Sequence, residues 1–533
     1  MPDDKIEAHM HRICAIVFAI ILGGCAALPP GADYPKVPST AFAHPEQTLL
    51  GQRTATAIAS HPGRSGFRIL NVGEDGFLAR IQMIKRAQRS IDLQYFIFRN
   101  DDTGQLLALA MLEAADRGVH VRILVDDAET ENGDEKLAAL QAHPNIELRI
   151  FNPFRYRGHH DAIRFAEFLF NRDRLDYRMH NKLFVVDNAL ALMGGRNLAD
   201  GYFQVDPAVQ FGDDDVLCVG PIVPQLSATF DVYWNSANAI PAAALGPASS
   251  AQLLSYRDAL DAHQQQLVAA GTDYALRIHS GEPLEALLSG KLPLSWATAQ
   301  IVCDSPDKAK VEKGEEIGQL MSRRVGAAVS DVQSELLMVS PYLVPGNEGM
   351  HLLENLRARQ AHVRILTNSL MSATVLAAQA GYMRYRLPML EDGIELYEVR
   401  ALLGSARGSG QSSFMDAYGT YSLHAKLFVL DRKRVYIGSM NFDQRSMHLN
   451  TELGIIIDSE ELARQVAQRF DAIVQPANSY HVTQRTAESG TPGLVWHTEE
   501  HGRPVDYFDE PSQSAWKHFE VEMLSLLPFD REL

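Results

Sequence analysis

Two stretches of this chain carry residue types that could do chemistry together. The first is Met179-His180-Asn181-Lys182-Leu183-Phe184-Val185-Val186-Asp187, followed by Gly194-Gly195-Arg196-Asn197; the second is Leu423-His424-Ala425-Lys426-Leu427-Phe428-Val429-Leu430-Asp431, followed by Gly438-Ser439-Met440-Asn441. Each copy reads H-x-K-x4-D, with the same spacing from His to Gly. His and Lys stand two apart at the start of a strand-like run, so their side chains leave on the same side. That pairing suits a phosphate better than a core, because a buried ammonium is costly without a partner. Lys182 and Lys426 supply charge to phosphoryl oxygens, and Asn197 and Asn441 add neutral donors. Two facing copies would set two imidazoles, two ammoniums and two amides around one phosphorus.

Carboxylates recur at matching places. Asn450-Thr451-Glu452-Leu453-Gly454-Ile455 follows the second motif, and Phe211-Gly212-Asp213-Asp214-Asp215-Val216 holds the corresponding place in the first half. Aligning Ile455 with Val216 puts Glu452 opposite Asp213, where each could orient an imidazole and stabilise its charged form. Asp214 and Asp215 are close rivals of Asp213. Asp187 and Asp431 end their motifs and read as residues that hold the turn after the strand. Gly195 stands where the second copy has Ser439, so a hydroxyl is available in one half alone. The three aspartates lack EF-hand spacing, and Gly158-His159-His160-Asp161 reads as a polar loop, so no metal site is expected. Arg407 and Gly408 form no nucleophile elbow.

The doubled motif resembles the phospholipase D superfamily. Arg178-Met179-His180-Asn181-Lys182, Ser422-Leu423-His424-Ala425-Lys426, Asn441-Phe442-Asp443-Gln444-Arg445-Ser446 and Asn450-Thr451-Glu452 are similar to its cardiolipin synthase branch. That resemblance runs from about Gly66 to the end, including Trp516 and Leu526-Leu527-Pro528. It implies a catalytic set of His180, Lys182, Asp187, His424, Lys426 and Asp431, with Asn197, Asn441 and Ser439 on the substrate and no cofactor. It also implies that His180 attacks phosphorus while His424 acts as acid and base, an order that the residues alone do not decide. The implied reaction moves a phosphatidyl group from phosphatidylglycerol or phosphatidylethanolamine to a phosphatidylglycerol hydroxyl, giving cardiolipin. Hydrolysis to phosphatidate and cleavage of a nucleic-acid phosphodiester are the alternatives.

The elements that must position these groups repeat as well. Ala79–Arg89 has helical spacing, Ser90–Ile97 reads as a strand, Leu106–Arg117 as a helix ended by Gly118, and Val119–Val125 as the next strand. Glu335–Ser340, Gly349–Arg359 and His362–Leu366 repeat the order, and Val121-Arg122-Ile123-Leu124 and Val363-Arg364-Ile365-Leu366 are the same four letters. The fold expected is α/β, built as two pseudo-symmetric halves facing across a shared site, at 66–237 and 297–533, with a helical connector at 238–296 containing a helix over Ala251–Ala269. Gly404–Thr420, rich in Gly and Ser, reads as a mobile loop or a lid.

The 533 residues carry a formal charge of −17, which argues against a general nucleic-acid binder and makes any attraction to phospholipid headgroups local. Residues 1–25 read as an export signal. The apolar run Ile13–Leu22 is too short to span a bilayer as a helix, and Leu22-Gly23-Gly24-Cys25 resembles a lipobox with Cys25 lipidated. Residues 26–65 hold six prolines and read as an extended tether or an N-terminal arm packed on the fold. The expected location is the bacterial cell envelope, as a membrane-anchored lipoprotein facing the periplasm. Cys218 and Cys303 lie in strand-like runs of different halves, which does not license a disulfide.

Overall fold

Runs such as Leu183–Val186 and Leu427–Leu430 do not alternate, because their strands are covered on both faces. The computed structural model describes residues 29–127, 134–158, 160–206, 208–278, 284–311, 320–403, 420–486, 492–512, 520–521 and 523–524. Residues 1–28 with Cys25, His159, residues 404–419 of the Gly/Ser-rich insert, Trp516 and 526–528 lie outside them.

In chain order the first half contains β1 (Ser65–Leu70), β2 (Ser90–Tyr95), β3 (His120–Asp126), β4 (Ile146–Phe151), β5 (Leu183–Val186), β6 (Leu190–Gly194), β7 (Val209–Gly212), β8 (Asp215–Val219) and β9 (Ala239–Pro241). Its sheet runs β9-β4-β3-β2-β5-β6-β8-β1, with β2, β3 and β4 parallel and the other pairs antiparallel. The second half contains β10 (Ser295–Cys303), β11 (Glu335–Val339), β12 (Leu343–Val344), β13 (His362–Asn368), β14 (Glu395–Val399), β15 (Thr420–Leu423), β16 (Leu427–Leu430), β17 (Arg434–Gly438), β18 (Phe442–Asp443), β19 (Leu453–Asp458), β20 (Ser479–Thr486), β21 (Pro492–Glu500) and β22 (Arg503–Tyr507). Here the order is β10-β19-β17-β16-β11-β13-β14-β20-β21-β22. From β1 to β4 and from β10 to β14 the two orders correspond strand for strand, and an antiparallel pairing of β1 with β10 joins them.

The crossover helices follow from ordinary end signals. Asp101 accepts a hydrogen bond from the Gly104 N–H and starts the helix Asp102–Asp116; Gly118, at φ +91°, lets the chain turn into β3. The matching crossover in the second half is Gly346–Ala358. One apolar core fills each half on its outer side. A third lies between the halves, where Val185, Met193 and Phe230 pack with Val429, Val435 and Phe470. Neither half could expose that shared face to water without a large loss of apolar burial, so the two fold as one unit.

The structure revises two boundaries. The connector helix Ser250–Ala269 forms, with Ser249 and Gln252 completing a capping box. It belongs to the first half, however, because Leu253 and Leu260 enter that half's core. Residues 26–65 are not simply an extended tether either. Thr48 caps a helix over Leu49–Ala59 whose Leu50 is fully buried, and the Lys36 ammonium donates to the carbonyls of Ser236 and Ala239 at 2.8 and 3.1 Å. From Lys36 onward the segment is an arm packed on the first half. Among the described residues no helix is long and apolar enough to cross a membrane.

Candidate active site

Each motif histidine stands one residue beyond a parallel strand pairing between the halves. β15 pairs with β7, ending at Leu423 opposite Gly212, and the His424 N–H donates to the Gly212 carbonyl at 2.8 Å. Met179 bridges Thr451 in the same sense, and the His180 N–H donates to the Thr451 carbonyl at 2.9 Å. The next residue on the partner segment is a carboxylate in both cases. Register alone therefore crosses the halves: Glu452 accepts from His180 Nδ1 at 2.9 Å, and Asp213 accepts from His424 Nδ1 at 2.6 Å. With Nδ1–H committed to a carboxylate, Nε2 is the nitrogen left for chemistry on each ring. The rivals of Asp213 are engaged elsewhere, Asp214 with Arg469 at 2.6 Å and Asp215 with Arg80 at 2.7 Å.

The lysines close over their own histidines. Lys182 Nζ donates to the His180 carbonyl at 2.6 Å and faces the Phe96 ring. Lys426 Nζ lies 3.0 and 3.1 Å from the two ring nitrogens of His424, so it sits over the ring rather than in its plane. Phe96 meets His180 edge-on, and Tyr202 and Phe211 do the same for His424. Asn197 is buried; its carbonyl oxygen accepts from the Ile97 N–H at 3.3 Å, and its side chain also meets Tyr202. Asn441 is also buried, and its amide oxygen has no hydrogen-bond partner.

The expected role of Ser439 changes, whereas Asp187 and Asp431 hold turns, as their places at the ends of the motif strands predict. Ser439 turns its hydroxyl onto Glu452 and makes a short hydrogen bond there, so it supports the carboxylate rather than facing the substrate. A Cβ at Gly195 would come within 2.2 Å of Asp213 Oδ1, which explains why the first copy has glycine. Asp187 and Asp431, grouped by the motif with the catalytic residues, point to the far ends of their strands. Asp187 accepts from the N–H groups of Gln88, Arg89 and Ser90 at 2.7–3.2 Å, and Asp431 from those of Gln333, Ser334 and Glu335 at 2.7–3.1 Å. These bonds, with the Ser334 hydroxyl, hold the Asp431 carboxyl down at about 2 against the cost of burial.

Burial sets the electrostatics. Desolvation first, and then Lys182 and Lys426, push both imidazoles well below their usual value. Burial lowers Lys182 strongly and brings Lys426 to about 8, with Asp213 and Glu452 acting against the shift. Glu452 rises to about 7, also by burial. The site thus holds closely packed cationic groups away from water, and a phosphodiester anion would relieve their repulsion.

Residues 80–234 and 327–474 match the family described as cardiolipin synthase, phospholipase D-like domain. The chain belongs to the phospholipase D superfamily, in its cardiolipin synthase branch. It is 34% identical to cardiolipin synthase C of Escherichia coli over 488 residues, which cover 90% of this chain and 99% of that protein. It is also 29% identical to an uncharacterized protein of Helicobacter pylori strain 26695, over 92% of this chain and 93% of that one. The crystal structure of phosphatidylserine synthase from Haemophilus influenzae shares the fold, with a TM-score of 0.53 at 12% identity, covering 81% of this chain and 92% of that one. Membership of this branch makes the protein a phospholipase D-type phosphatidyltransferase.

Other residues of this cardiolipin synthase-like site were not singled out from the sequence. Asp126, at the end of β3, accepts from the Met179 N–H at 2.8 Å, and Asn368, at the end of β13, both accepts from the Leu423 N–H and donates to its carbonyl. Each therefore clamps the residue before a histidine. They stand five positions after the Val that opens each Val-Arg-Ile-Leu run, so extending that repeat to the strand ends would have found them. Asp304 accepts from the Glu452 N–H at 3.1 Å and is paired with the buried Lys308 at 2.8 Å. Arg196 holds the Asp213 carbonyl by a short hydrogen bond. No motif points to Asp304, and Arg196 occupies the variable place of Gly194-Gly195-Arg196-Asn197, where the second copy has Met440.

Proposed function

We propose that this protein makes cardiolipin from phosphatidylglycerol and a second phospholipid through a phosphohistidine. His180 Nε2 attacks the donor phosphorus; the N–P bond forms as the bond to the headgroup oxygen breaks, and His424 gives that oxygen its proton. The headgroup leaves as glycerol from phosphatidylglycerol or ethanolamine from phosphatidylethanolamine. A phosphatidylglycerol hydroxyl then enters, His424 takes its proton, and the new O–P bond forms as N–P breaks. Lys182, Lys426, Asn197 and Asn441 hold the phosphoryl oxygens. Glu452 and Asp213 keep Nε2 of each ring aimed inward.

The observation that carries this reading is the crosswise pairing of His180 with Glu452 and His424 with Asp213. It leaves two differently supported imidazoles at one site, as a two-step transfer needs. The N-terminal segment adds to it: a chain lipidated at Cys25 and facing the periplasm would keep the enzyme beside its substrates. Purified protein incubated with phosphatidylglycerol alone, phosphatidylethanolamine alone, and both together should yield cardiolipin with the matching free headgroup, followed by mass spectrometry. Phosphatidate as the main product would make the enzyme a hydrolase. Turnover of a nucleic-acid phosphodiester in place of either lipid would move it to the nuclease class.

A further inference from the structure

The helix Asp161–Phe170 packs with its polar side inward. Arg164 is 6% exposed, with its guanidinium over the Phe154 ring and donating to the Asp127 carbonyl at 2.9 Å. Glu167, three residues on, accepts from the N–H groups of Arg155 and Tyr156 at 2.7 and 2.9 Å. The opposite arc carries Ile163, Phe165, Leu169 and Phe170, exposed by 46, 63, 57 and 80%, and Ala162 and Ala166 complete it without a charge. A surface helix ordinarily shows the reverse arrangement, and a contiguous apolar face of this kind marks an interaction site.

We propose that this helix is the surface by which the enzyme docks on an anionic phospholipid bilayer, lying in the plane of the interface with Phe165, Leu169 and Phe170 inserted. Its place in the chain supports that occupant. The segment leaves the C-terminal end of β4 and returns at His180, on the side of the sheet where ligands of parallel α/β units bind. Asn152, just past β4, donates to the carbonyls of Arg174 and Tyr177, and Arg178 donates to the Asn152 carbonyl, so the helix is tied to the strand entering the active site. Charge supports it as well. The chain as a whole carries −17, yet exposed Arg155 and Arg172 flank this helix, Arg172 lying 3.6 Å from Asp176 and beside exposed Asp173, so an anionic headgroup layer would meet a mixed but locally basic rim.

The proposal rests on phospholipid being the substrate, and its first test needs no turnover. Full-length protein is mixed with vesicles of phosphatidylglycerol and phosphatidylethanolamine, or of a zwitterionic lipid alone, and amide exchange over 161–170 is followed by mass spectrometry. Exchange there should slow by about tenfold on the anionic vesicles. Equal rates with and without vesicles would overturn docking, and slowing that follows protein concentration without lipid would assign the face to a second copy of the chain. Equal slowing on zwitterionic vesicles would overturn the requirement for an anionic bilayer. In a second test, Phe165→Ser and Phe170→Ser should each lower turnover of vesicle phospholipid by about tenfold while leaving turnover of dispersed short-chain phosphatidylglycerol unchanged. Loss on both substrates would mean that the face serves the fold or the chemistry instead.

Discussion

Glu452 of the second half holds His180 of the first at 2.9 Å, and the carboxylate is itself held by the Ser439 hydroxyl. Removing Glu452 therefore reaches across the pseudo-symmetry. Its carboxyl titrates at about 7 because it is buried, whereas burial and two lysines keep His180 neutral to much lower pH. As pH falls through about 7, the carboxylate takes up a proton, and the His180 Nδ1–H faces a neutral acceptor in place of a charged one. Glu452 thus sets the acidic limb of the rate. Glu452→Gln is expected to lower kcat by about a hundredfold or more and to move that limb to lower pH, measured on a soluble phosphodiester. A lower plateau with both limbs unmoved would mean that Glu452 serves the fold alone.

The basic limb depends on His424 staying protonated. Burial, Lys426 and Lys182 lower it in the free enzyme, and a bound phosphodiester anion opposes the lysines. The basic limb of kcat should then lie at higher pH than that of kcat/KM, since the two report the complex and the free enzyme. Coincident limbs would show that substrate does not sit between the lysines.

His180→Ala and His424→Ala are each expected to abolish turnover, and the double variant to be no worse than either, because the pair acts as one unit. With a donor whose leaving group needs no proton, His424→Ala should recover the first step and His180→Ala should not. Recovery in the His180 variant instead would reverse the two roles.

Asp431→Asn tests the motif's last position as structure. Its folded carboxyl is depressed to about 2, below the ordinary carboxylate value, so its contribution is present above about pH 4 and is lost as pH falls towards 2. The carboxylate is partly solvent-screened, which keeps the effect small. The variant should lose on the order of 1 °C in Tm at pH 7, a difference that closes below about pH 4, with kcat unchanged. A large fall in kcat at constant Tm would return Asp431 to the catalytic set.

Cys25→Ser tests the membrane anchor implied by Leu22-Gly23-Gly24-Cys25. Labelling with palmitate should disappear and maturation should stall, followed by fractionation. Palmitate that persists in the variant would place the lipid elsewhere.

The residues alone determined the chemistry and the two-fold plan of this protein. His, Lys and Asn recur at one spacing, and reactive residue types at the edge of a buried strand have few uses apart from an anion. The repeated Val-Arg-Ile-Leu strands and the Gly118 stop are local signals, so the elements were legible wherever short-range propensity and burial agree. The match of Glu452 with Asp213 was legible too, because it follows from counting along the chain.

Tertiary structure decided which carboxylate serves which histidine, since that depends on β15 lying beside β7 and Thr451 beside Met179. Such pairings join residues more than 200 positions apart, and nothing in local sequence encodes them. For the same reason Ser439 proved to be a support for Glu452, and the residues from Lys36 through Ala59 an arm rather than a tether. Ser439 meets Glu452 only when β17 and β19 pair within the second half, and Lys36 and Leu50 find their partners only on the folded first half. The outward face of Asp161–Phe170 makes the same point in reverse: periodicity sorts its apolar side from its polar side, but only packing shows which of the two meets the solvent.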